Sequence, residues 1–418
     1  MDRFVIEGPC RLSGRVRAEG AKNAALPALA ATLLSDGEVT LSGLPEVRDI
    51  RTLRRLLEHL GVESAAQEDG GLRLAVTGDG SHDDAPYELV KTMRASVLVL
   101  GPLLARYGHA RVSLPGGCAI GVRPIDQHLA GLEALGAEVD LEHGYVTARA
   151  PALRGARFRF AMPTVTGTEN VLMAATLARG TTVLENCARE PEVEDLAALL
   201  SAMGARIDGA GTSTITVEGV ERLGGAGHRV VGDRIEAGTY LIGAAISGGD
   251  VTVEGTHEQH LLALLERLAE TGCEVDGADG AVRVRRAGEL QARDVVTAPH
   301  PGFPTDLQAQ YVALMTQATG TATVCESVFE NRFQHVPELR RMGARIDIDG
   351  HYAKVAGPSP LAGAAVMATD LRASACLVLA GLVADGVTEV SRIYHLDRGY
   401  ARMEEKLTGL GARVTRVV

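Results

Sequence analysis

One cysteine of this sequence stands in a glycine-rich segment, VSLPGGCAIGVRPIDQH, which runs from residue 112 to residue 128. A lone cysteine is most often a small buried hydrophobe. Cys118, however, has Arg123 and His128 close to it in sequence, and neighbouring cations lower a thiol pKa from its usual value of about 8.5. The segment therefore predicts either an inert thiol or one that acts as an acid or a nucleophile.

Cationic side chains recur at two kinds of position. Strand-to-helix loops that correspond to one another carry Arg123, Arg332 and Arg398, and the starts of apolar helical stretches carry Lys22, Arg94 and Arg372. A surface ion pair explains any one loop arginine equally well, but a cation is unfavourable at a helix start unless an anion binds there. Together they predict a site for a ligand with phosphate and carboxylate groups, because both suit the guanidinium fork.

A carboxylate stands at the start of another apolar helix, where Asp306 follows two prolines in HPGFPTDLQ. An aspartate at such a position is an ordinary helix cap. Opposite a cationic site, the same carboxylate would be a general base. The residues alone leave both roles open.

These side chains belong to a chain that repeats itself six times. Helices end in a motif such as Leu-Gly-Ala, whose glycine recurs every 68 to 75 residues at positions 61, 136, 204, 272, 343 and 411. In the same period, a glycine opens a β-like run such as GTTVLEN or GDVTVEG. Two markers in register indicate a structural repeat. Each copy predicts the order strand, helix, strand, helix, strand, strand, with the first helix buried all round and the second exposed on one side.

Composition restricts the function further. The 418 residues predict two or three domains, and 46% hydrophobic with 23% charged residues is typical of a globular protein. A net charge of −11 and the absence of tryptophan disfavour nucleic acid as a partner. The six cysteines form no CxxC pair, which argues against a zinc site or a disulfide framework. Without a signal-like start or a membrane-length apolar run, we expect a cytoplasmic protein with no membrane partner.

Over its full length the sequence resembles the UDP-N-acetylglucosamine 1-carboxyvinyltransferases, which are EPSP synthase-like enolpyruvyl transferases. The resemblance rests on the stretches GAKNAALP, MRAS, LPGGCAIGVRPIDQH, ENCAREPEVEDLA, GDRIEAGTYL, TAPHPGFPTDLQAQ, FENRFQHVPEL, MATDLRASA and RIYHLDRGY. It implies an α/β (α+β) fold, a two-domain inside-out α/β barrel with three βαβαββ units in each domain. The expected domains are 22–229, with the Cys118 loop, and 1–21 with 230–418, with the active site in the cleft between them.

The resemblance also implies a reaction and its catalytic groups. The enolpyruvyl group of phosphoenolpyruvate would pass to the 3-hydroxyl of UDP-N-acetylglucosamine, with release of phosphate and without a metal or cofactor, in the first committed step of peptidoglycan precursor synthesis. Cys118 would be the general acid, Asp306 the base, and Lys22 a further catalytic group. Phosphoenolpyruvate would be bound through its phosphate by Lys22, Arg123 and Arg398 and through its carboxylate by Arg332 and Arg372. The division among the last three arginines stays open.

The sugar nucleotide would contact a larger set of residues. By resemblance these are Asn23, Arg94, Arg123, Pro124, Ile125, Asp126, Val165, Thr166, Gly167, Asp306, Val328 and Phe329. Residues 123–126 would bind the uracil end, and residues 328–329 would line the sugar site. The family varies around residues 163–170, and a nucleotide-contacting lysine of some members has no clear counterpart there.

Two alternatives remain open. A relative of the same reaction class would use another acceptor, such as a uridine nucleotide of specialised metabolism or shikimate 3-phosphate. Asn23 with Asp306 favours the amino sugar, and the cysteine loop argues against the shikimate branch. A paralogue that binds UDP-sugars without catalysis would have no need of Lys22, Cys118, Asp306 and the arginines together. We expect small-molecule substrates and no obligate protein partner.

Overall fold

The computed structural model describes residues 2–68, 70–78, 80, 84–91, 93–114, 125–278 and 280–418. Over these residues the chain divides into two compact units. We call residues 2–19 with 232–418 the terminal unit, and the described residues between 20 and 231 the central unit.

The helices are numbered in chain order over the described residues. The central unit contains α1 to α7, which are Lys22–Ala31, Arg48–His59, Tyr87–Val90, Leu100–Tyr107, Asp126–Ala134, Val165–Ala175 and Pro191–Ala202. The terminal unit contains α8 to α13, which are Arg234–Ser247, Leu262–Glu270, Gln308–Met315, Val336–Arg341, Leu371–Val383 and Met403–Gly409. Short 3₁₀ segments are Thr32–Leu34, Arg94–Val99, Glu258–His260, Thr305–Leu307 and Ile393–Arg398.

The strands are numbered in the same way. From β1 to β12 they are Arg3–Gly8, Ser13–Arg17, Val39–Ser42, Val62–Ala66, Leu72–Val76, Asp84–Ala85, His109–Ser113, Glu138–Glu142, Tyr145–Arg149, Arg157–Arg159, Thr181–Glu185 and Arg206–Asp208. From β13 to β24 they are Thr214–Glu218, Ala226–Arg229, Asp250–Glu254, Cys273–Ala278, Ala281–Arg286, Val295–Val296, Gly320–Cys325, Arg345–Asp349, Tyr352–Gly357, Ala365–Met367, Gly386–Ser391 and Val414–Val417.

The described strands form six four-stranded sheets of one pattern. In each sheet an edge strand runs parallel to its neighbour, and the next two pairings are antiparallel. The central unit holds β14-β3-β5-β4, β6-β7-β9-β8 and β10-β11-β13-β12, and the terminal unit holds β2-β15-β17-β16, β18-β19-β21-β20 and β22-β23-β1-β24. The predicted α/β fold of six repeats is confirmed.

Three strands depart from the simple chain order of the repeat. β1 lies between β23 and β24, so the first residues of the chain complete the last sheet of the terminal unit. β2 is the parallel edge strand of the sheet that follows α8, and β14 takes that place in the sheet that follows α1. The two segments that link the units therefore each run directly from an edge strand into a buried helix.

Buried helices fill the middle of each unit. In α8, every residue from Arg234 to Ile246 is buried, and α8, α10 and α12 pack against one another. Small alanine and glycine side chains allow this close approach, since they add little bulk between helices. The second helices of the repeats are one-sided, as α2 illustrates, where Leu53 and Leu56 are buried while Arg51 and Arg55 are exposed. Both predictions about the helices are confirmed.

The glycines that mark the repeat have a conformational reason. At positions 61, 136, 204, 272, 343 and 411, φ lies between 85° and 109°. Residues with a side chain rarely adopt this left-handed conformation, which is the usual way to end a helix. The recurrence of the motif thus reports six equivalent helix ends.

Candidate active site

A carboxylate held between two guanidinium groups lies in the terminal unit. Asp306 is in the 3₁₀ segment before α10, and its Oδ1 accepts from Arg332 Nη2 at 2.5 Å while its Oδ2 accepts from Arg372 Nη2 at 3.0 Å. The arginine side chains are only 4% and 6% exposed, whereas the Asp306 side chain is 25% exposed. We call these three residues the acid-arginine cluster. It contains two cations and one anion, which leaves a net positive charge for a ligand.

Arg372 is fixed from several directions. It is the second residue of α12, and the helix cap Asp370 accepts from the backbone N–H of Arg372 and of Ala373. Its Nη1 donates to the Tyr400 hydroxyl at 3.3 Å. Burial alone would lower the pKa of Arg372, but nearby acidic groups, Asp306 foremost, together outweigh burial and raise that pKa. The guanidinium is therefore charged at every working pH.

A buried polar network supports this arginine. The Tyr400 hydroxyl lies 2.8 Å from Thr239 Oγ1 and accepts from Gln310 Nε2 at 3.2 Å. The same Gln310 nitrogen donates to the backbone carbonyl of Asp306 at 3.2 Å. Burial raises the pKa of Tyr400, so its hydroxyl stays neutral. The network thus links α8, α10 and the segment between Arg398 and α13, and it contacts the acid-arginine cluster through Arg372 and the Asp306 backbone.

Arg332 connects the cluster to a predicted sugar-binding residue. Its Nη1 donates to Thr305 Oγ1 at 2.9 Å, and its guanidinium carbon lies 5.1 Å from the centre of the Phe329 ring. A cation at this distance from an aromatic face is attracted to it. The structure thus brings Asp306, Arg332, Arg372 and Phe329 into one region of the terminal unit.

Arg398 is the remaining predicted cation of this unit. It is the last residue of the 3₁₀ segment Ile393–Arg398, it is half-buried, and it stands two residues before Tyr400. Burial lowers the pKa of His395, and the charge of Arg398 lowers it further. His395 is therefore no additional cation at neutral pH.

In the central unit, Lys22 and Asn23 form the first turn of α1. Lys22 Nζ lies 3.4 Å from Asp49 Oδ2, and Asp49 is buried in α2. The cap residue Ala21 makes no side-chain hydrogen bond to the helix start. A lysine at this position opposes the helix dipole, and Asp49 supplies part of the compensating negative charge. The ion pair and an anion-binding role are compatible, since the pair is at the long end of the range for direct contact.

The predicted nucleotide contacts at residues 165–167 form the first turn of α6. Thr164 caps this helix through the backbone N–H of Gly167, and Thr166 Oγ1 lies 3.3 Å from His128 Nε2. His128 Nδ1 accepts from Asn170 Nδ2 at 3.0 Å. Burial lowers the pKa of His128 to about 4. The prediction that His128 adds positive charge beside Cys118 is wrong, because the ring is neutral at neutral pH.

Asn170 ties this turn to a further predicted contact. Its Nδ2 also donates to the carbonyl of Val97 at 3.0 Å, and its Oδ1 accepts from the backbone N–H of Gly101 at 2.7 Å. Val97 belongs to the 3₁₀ segment that begins with Arg94, which is half-buried. The first turn of α6, the Arg94 segment and α5 are thus held together by uncharged groups.

Three predicted residues, Cys118, Arg123 and Pro124, lie outside the described residues. Ile125 precedes α5 and Asp126 begins it. Val328 is 38% exposed. Among the described residues, no group of three or more His, Cys, Asp or Glu side chains is arranged for a metal ion. Within those same ranges, no helix is long and apolar enough to cross a membrane.

Sequence reasoning missed the supporting residues Thr239, Thr305, Gln310, Glu326, Tyr400 and Asp49. Four of them stand in stretches already quoted for the resemblance or next to it, such as Gln310 in TAPHPGFPTDLQAQ and Tyr400 in RIYHLDRGY. The sequence offers no signal for their contacts, because each contact joins segments that are distant along the chain. Burial of a polar side chain marks all of them except Thr305, which is half-buried.

Relatives of known name match the chain along its whole length. A family profile described as EPSP synthase (3-phosphoshikimate 1-carboxyvinyltransferase) matches residues 6–407. Proteins named UDP-N-acetylglucosamine 1-carboxyvinyltransferase from Anaeromyxobacter sp. (strain Fw109-5), Sorangium cellulosum (strain So ce56) and Myxococcus xanthus (strain DK1622) are 60%, 59% and 56% identical to it. Each alignment covers 100% of this chain and 99% of the relative.

Solved structures give the same fold. The enolpyruvyl transferase NikO from Streptomyces tendae matches with a TM-score of 0.88 at 26% identity, over 100% of this chain and 99% of that one. An EPSP synthase from Acinetobacter baumannii matches with a TM-score of 0.78 at 19% identity over 100% of both chains, which shows a shared fold. On the identity and coverage of the named relatives, the chain belongs to the UDP-N-acetylglucosamine 1-carboxyvinyltransferase family of enolpyruvyl transferases.

Proposed function

We propose that this protein transfers the enolpyruvyl group of phosphoenolpyruvate to the 3-hydroxyl of UDP-N-acetylglucosamine and releases phosphate, the first committed step of peptidoglycan precursor synthesis. The observation that carries the proposal is the full-length identity of 56% to 60% with proteins named for this activity. The acid-arginine cluster supports it, since it combines an anion site with a carboxylate that can accept a proton.

The cationic residues would bind phosphoenolpyruvate. We assign its carboxylate to Arg332 and Arg372, and its phosphate to Lys22, Arg123 and Arg398. Two buried guanidinium groups around one carboxylate favour an incoming anion, because charge-assisted bonds to guanidinium are short and strong. The anion competes with Asp306 for the same donors, so binding would release the carboxylate from part of its hydrogen bonding.

The released carboxylate would then act as a base. Asp306 would take the proton of the sugar 3-hydroxyl as the hydroxyl oxygen attacks the phosphate-bearing carbon of phosphoenolpyruvate. In the same step Cys118 would donate a proton to the methylene carbon. In the second step the methyl group loses a proton, the carbon–oxygen bond to phosphate breaks, and the double bond re-forms. The arginines and Lys22 stabilise charge that moves during both steps.

UDP-N-acetylglucosamine would contact residues at helix starts and loops of the chain. The proposed set is Asn23, Arg94, Arg123, Pro124, Ile125, Asp126, Val165, Thr166, Gly167, Asp306, Val328 and Phe329. Support comes from the positions of the described members. Asn23 and residues 165–167 lie in first helical turns, where the positive end of the helix dipole favours an anionic nucleotide.

Another acceptor is the less favoured reading. Identity to NikO, an enolpyruvyl transferase, is 26%, against 60% for the Anaeromyxobacter relative. Identity to the EPSP synthase of Acinetobacter baumannii is 19%. The amino sugar nucleotide therefore stays the proposed acceptor.

We also propose a cytoplasmic location. The described cysteines at positions 10, 187, 273, 325 and 376 are free thiols, which is typical of a reducing compartment. The proposed reaction needs small-molecule substrates alone, so we propose no obligate protein partner.

A phosphate-release assay with three acceptors tests the proposed function. Purified protein with phosphoenolpyruvate should release phosphate with UDP-N-acetylglucosamine and not with UMP or shikimate 3-phosphate. Mass spectrometry of the product should show the acceptor with an added enolpyruvyl group. Release with UMP or shikimate 3-phosphate alone would replace the proposed acceptor, and release with none would reject the activity.

A further inference from the structure

Glu326 is a buried carboxylate that the predicted machinery does not include. It follows β19 directly and is 1% exposed. Burial of a carboxylate is costly unless hydrogen bonds compensate the charge. Its carboxylate oxygens accept four hydrogen bonds, two from hydroxyl groups and two from backbone N–H groups. All four donors are neutral, so these contacts do not include an ion pair. We therefore look for the role of Glu326 in the groups that its two oxygens hold.

One oxygen, Oε1, organises a turn that we call the sugar loop, residues 327–329. Oε1 accepts from the backbone N–H groups of Val328 at 2.9 Å and Phe329 at 3.1 Å. It also accepts from Thr297 Oγ1 at 3.0 Å, and that hydroxyl in turn accepts from the Ser327 N–H at 2.9 Å. Every backbone N–H of the sugar loop is therefore bound directly or indirectly to Glu326.

The other oxygen, Oε2, reaches the acid-arginine cluster. It accepts from Thr305 Oγ1 at 2.8 Å, and Thr305 Oγ1 accepts from Arg332 Nη1 at 2.9 Å. Because its proton points to Glu326, the Thr305 hydroxyl presents a lone pair to Arg332. Glu326 thus fixes the direction of a hydrogen bond that orients one of the two guanidinium groups around Asp306.

We propose that Glu326 is a positioning residue that holds the sugar loop with one carboxylate oxygen and orients Arg332 through Thr305 with the other. Glu326 thereby fixes the position of the sugar loop, which would contact the acceptor, relative to Arg332, which would bind phosphoenolpyruvate. The inference rests on the proposed roles of the sugar loop and Arg332. Since the two oxygens serve different groups, the two effects are separable by mutation.

This arrangement requires that both side-chain oxygens of Glu326 accept hydrogen bonds. In Glu326→Gln, an NH₂ group replaces one carboxylate oxygen, and an amide nitrogen has no lone pair for a donor. If the amide oxygen faces the three donors of the Oε1 side, the NH₂ group faces Thr305 and forces its hydroxyl proton to turn away. Both branches cannot be satisfied at once, as they are by the carboxylate.

Four variants separate the branches by steady-state kinetics. Thr297→Val removes a hydroxyl that contacts only the sugar-loop branch, so we expect KM for UDP-N-acetylglucosamine to rise about 5- to 10-fold, with KM for phosphoenolpyruvate within twofold of wild type. Thr305→Val should instead raise KM for phosphoenolpyruvate and leave KM for UDP-N-acetylglucosamine within twofold of wild type. Thr305→Ser, which keeps the hydroxyl, should return KM for phosphoenolpyruvate to the wild-type value. Glu326→Gln should raise both constants and lower kcat.

A matched control uses a carboxylate of the same sheet. Asp294 is exposed, and its Oδ1 accepts from the backbone N–H of Thr323 at 2.7 Å. Asp294→Asn should leave both KM values and kcat within twofold of wild type. If Glu326→Gln does not fold, the opposite splits of the two threonine variants still decide the matter.

Two further variants separate failure of this inference from failure of the proposed site. If Phe329→Ala and Arg332→Ala change the constants while Thr297→Val, Thr305→Val and Glu326→Gln lower only the melting temperature, the positioning role is rejected and the site stands. Equal rises of both KM values in both threonine variants also reject it. If Phe329→Ala and Arg332→Ala leave the constants unchanged, the proposed site is wrong and the inference falls with it.

Discussion

Two equivalent helix starts, that of α10 in the terminal unit and that of α6 in the central unit, are surrounded by different chemistry. In the terminal unit, Asp306 is bound by two buried arginines, and a carboxylate or phosphate of a ligand would compete for the same donors. In the central unit, the first turn of α6 is held by His128 and Asn170, which are neutral and satisfied by one another and by backbone groups. Both arrangements lie at the start of the first, buried helix of a repeat.

This difference shows that one repeated scaffold can carry two kinds of helix start. Neutral groups with complete hydrogen bonding fix backbone geometry at little electrostatic cost. An ion pair between buried groups behaves differently, because a charged ligand can replace one of the partners. Breaking or replacing such a pair changes the free energy strongly. We therefore expect mutations of the acid-arginine cluster to alter chemistry and anion binding, and mutations of the His128 and Asn170 contacts to alter stability.

The largest effect is expected for Asp306→Ala. Turnover should fall by about 10²–10⁴-fold, the usual contribution of positioned proton transfer, with only a modest loss of UDP-N-acetylglucosamine affinity. Stopped-flow or coupled phosphate release measures the rate, and the melting temperature checks the fold. Asp347→Ala is the control, since that side chain is 97% exposed. Turnover near the wild-type rate would remove the general-base assignment.

The next largest effect is expected for the arginines. Arg332→Ala and Arg372→Ala should each raise KM for phosphoenolpyruvate by roughly 10- to 100-fold, because each removes charge-assisted hydrogen bonds to an anion. Arg123→Ala and Arg398→Ala should act in the same direction. Arg285→Ala serves as control, as Arg285 pairs with Glu274 on the surface. Lower melting temperatures with unchanged kinetic constants would assign the arginines to the scaffold.

A chemical probe tests the cysteine that lies outside the described residues. Fosfomycin, an anionic epoxide, should alkylate Cys118 alone and faster when UDP-N-acetylglucosamine is bound. Burial raises the pKa of the thiol of Cys187 to about 11, and burial also raises the pKa of Cys273 and Cys376. These thiols should be inert. Peptide mass spectrometry reads the site.

The half-buried Cys325 offers an internal control for this labelling. A label on Cys325, or none with the acceptor bound, would exclude Cys118 from the reaction. Cys118→Asp should abolish alkylation and keep some turnover, since a carboxylic acid can also donate the proton.

The smallest effect concerns the stability of the central unit at acid pH. The pKa of His128 falls from 6.5 to about 4 on folding, so the unfolded chain binds more protons between these values. Stability is lost as pH falls through this window, by at most about 1.4 kcal/mol per pH unit. In His128→Gln the contribution of His128 to this slope should be lost. Hydrogen exchange of the α6 amides at pH 7 and pH 4.5 measures it, and an unchanged slope would contradict the account.

The terminal unit supplies the opposite case for the same experiment. Burial raises the pKa of Glu236 from 4.5 to about 7, although Lys406 lowers it in part. The folded state binds more protons in that window, so this carboxyl lowers stability as pH rises from 4.5 to 7. Glu236→Gln should remove this trend from the α8 amides and leave the α6 amides unchanged. A change at α6 instead would contradict the assignment of this trend to Glu236.

The residue types of the site are predictable from the sequence to a large extent. Lys22 and Arg372 stand out because a cation at the start of an apolar helix conflicts with the helix dipole. The repeat is also predictable, since glycines at equivalent helix ends need a left-handed backbone. Local rules were enough in these cases.

The contacts between these residues are not predictable in the same way. Asp306 and Arg372 pair because α10 and α12 pack together, and Glu326 reaches Thr305 across 21 positions of the chain. His128 shows the converse error, as nearness to Cys118 in sequence suggested a cation where burial makes the ring neutral. Burial and long-range packing decide these properties, and neither is visible in spacing.

The most direct test of the acid-arginine cluster is the affinity of Asp306→Ala for phosphoenolpyruvate. If the carboxylate and the ligand compete for Arg332 and Arg372, removing the carboxylate should leave both guanidinium groups to the ligand. Calorimetric titration should therefore show binding several-fold tighter than wild type, in a variant that has lost turnover. Weaker binding in Asp306→Ala would contradict the competition and show that Asp306 holds the arginines in place for the ligand.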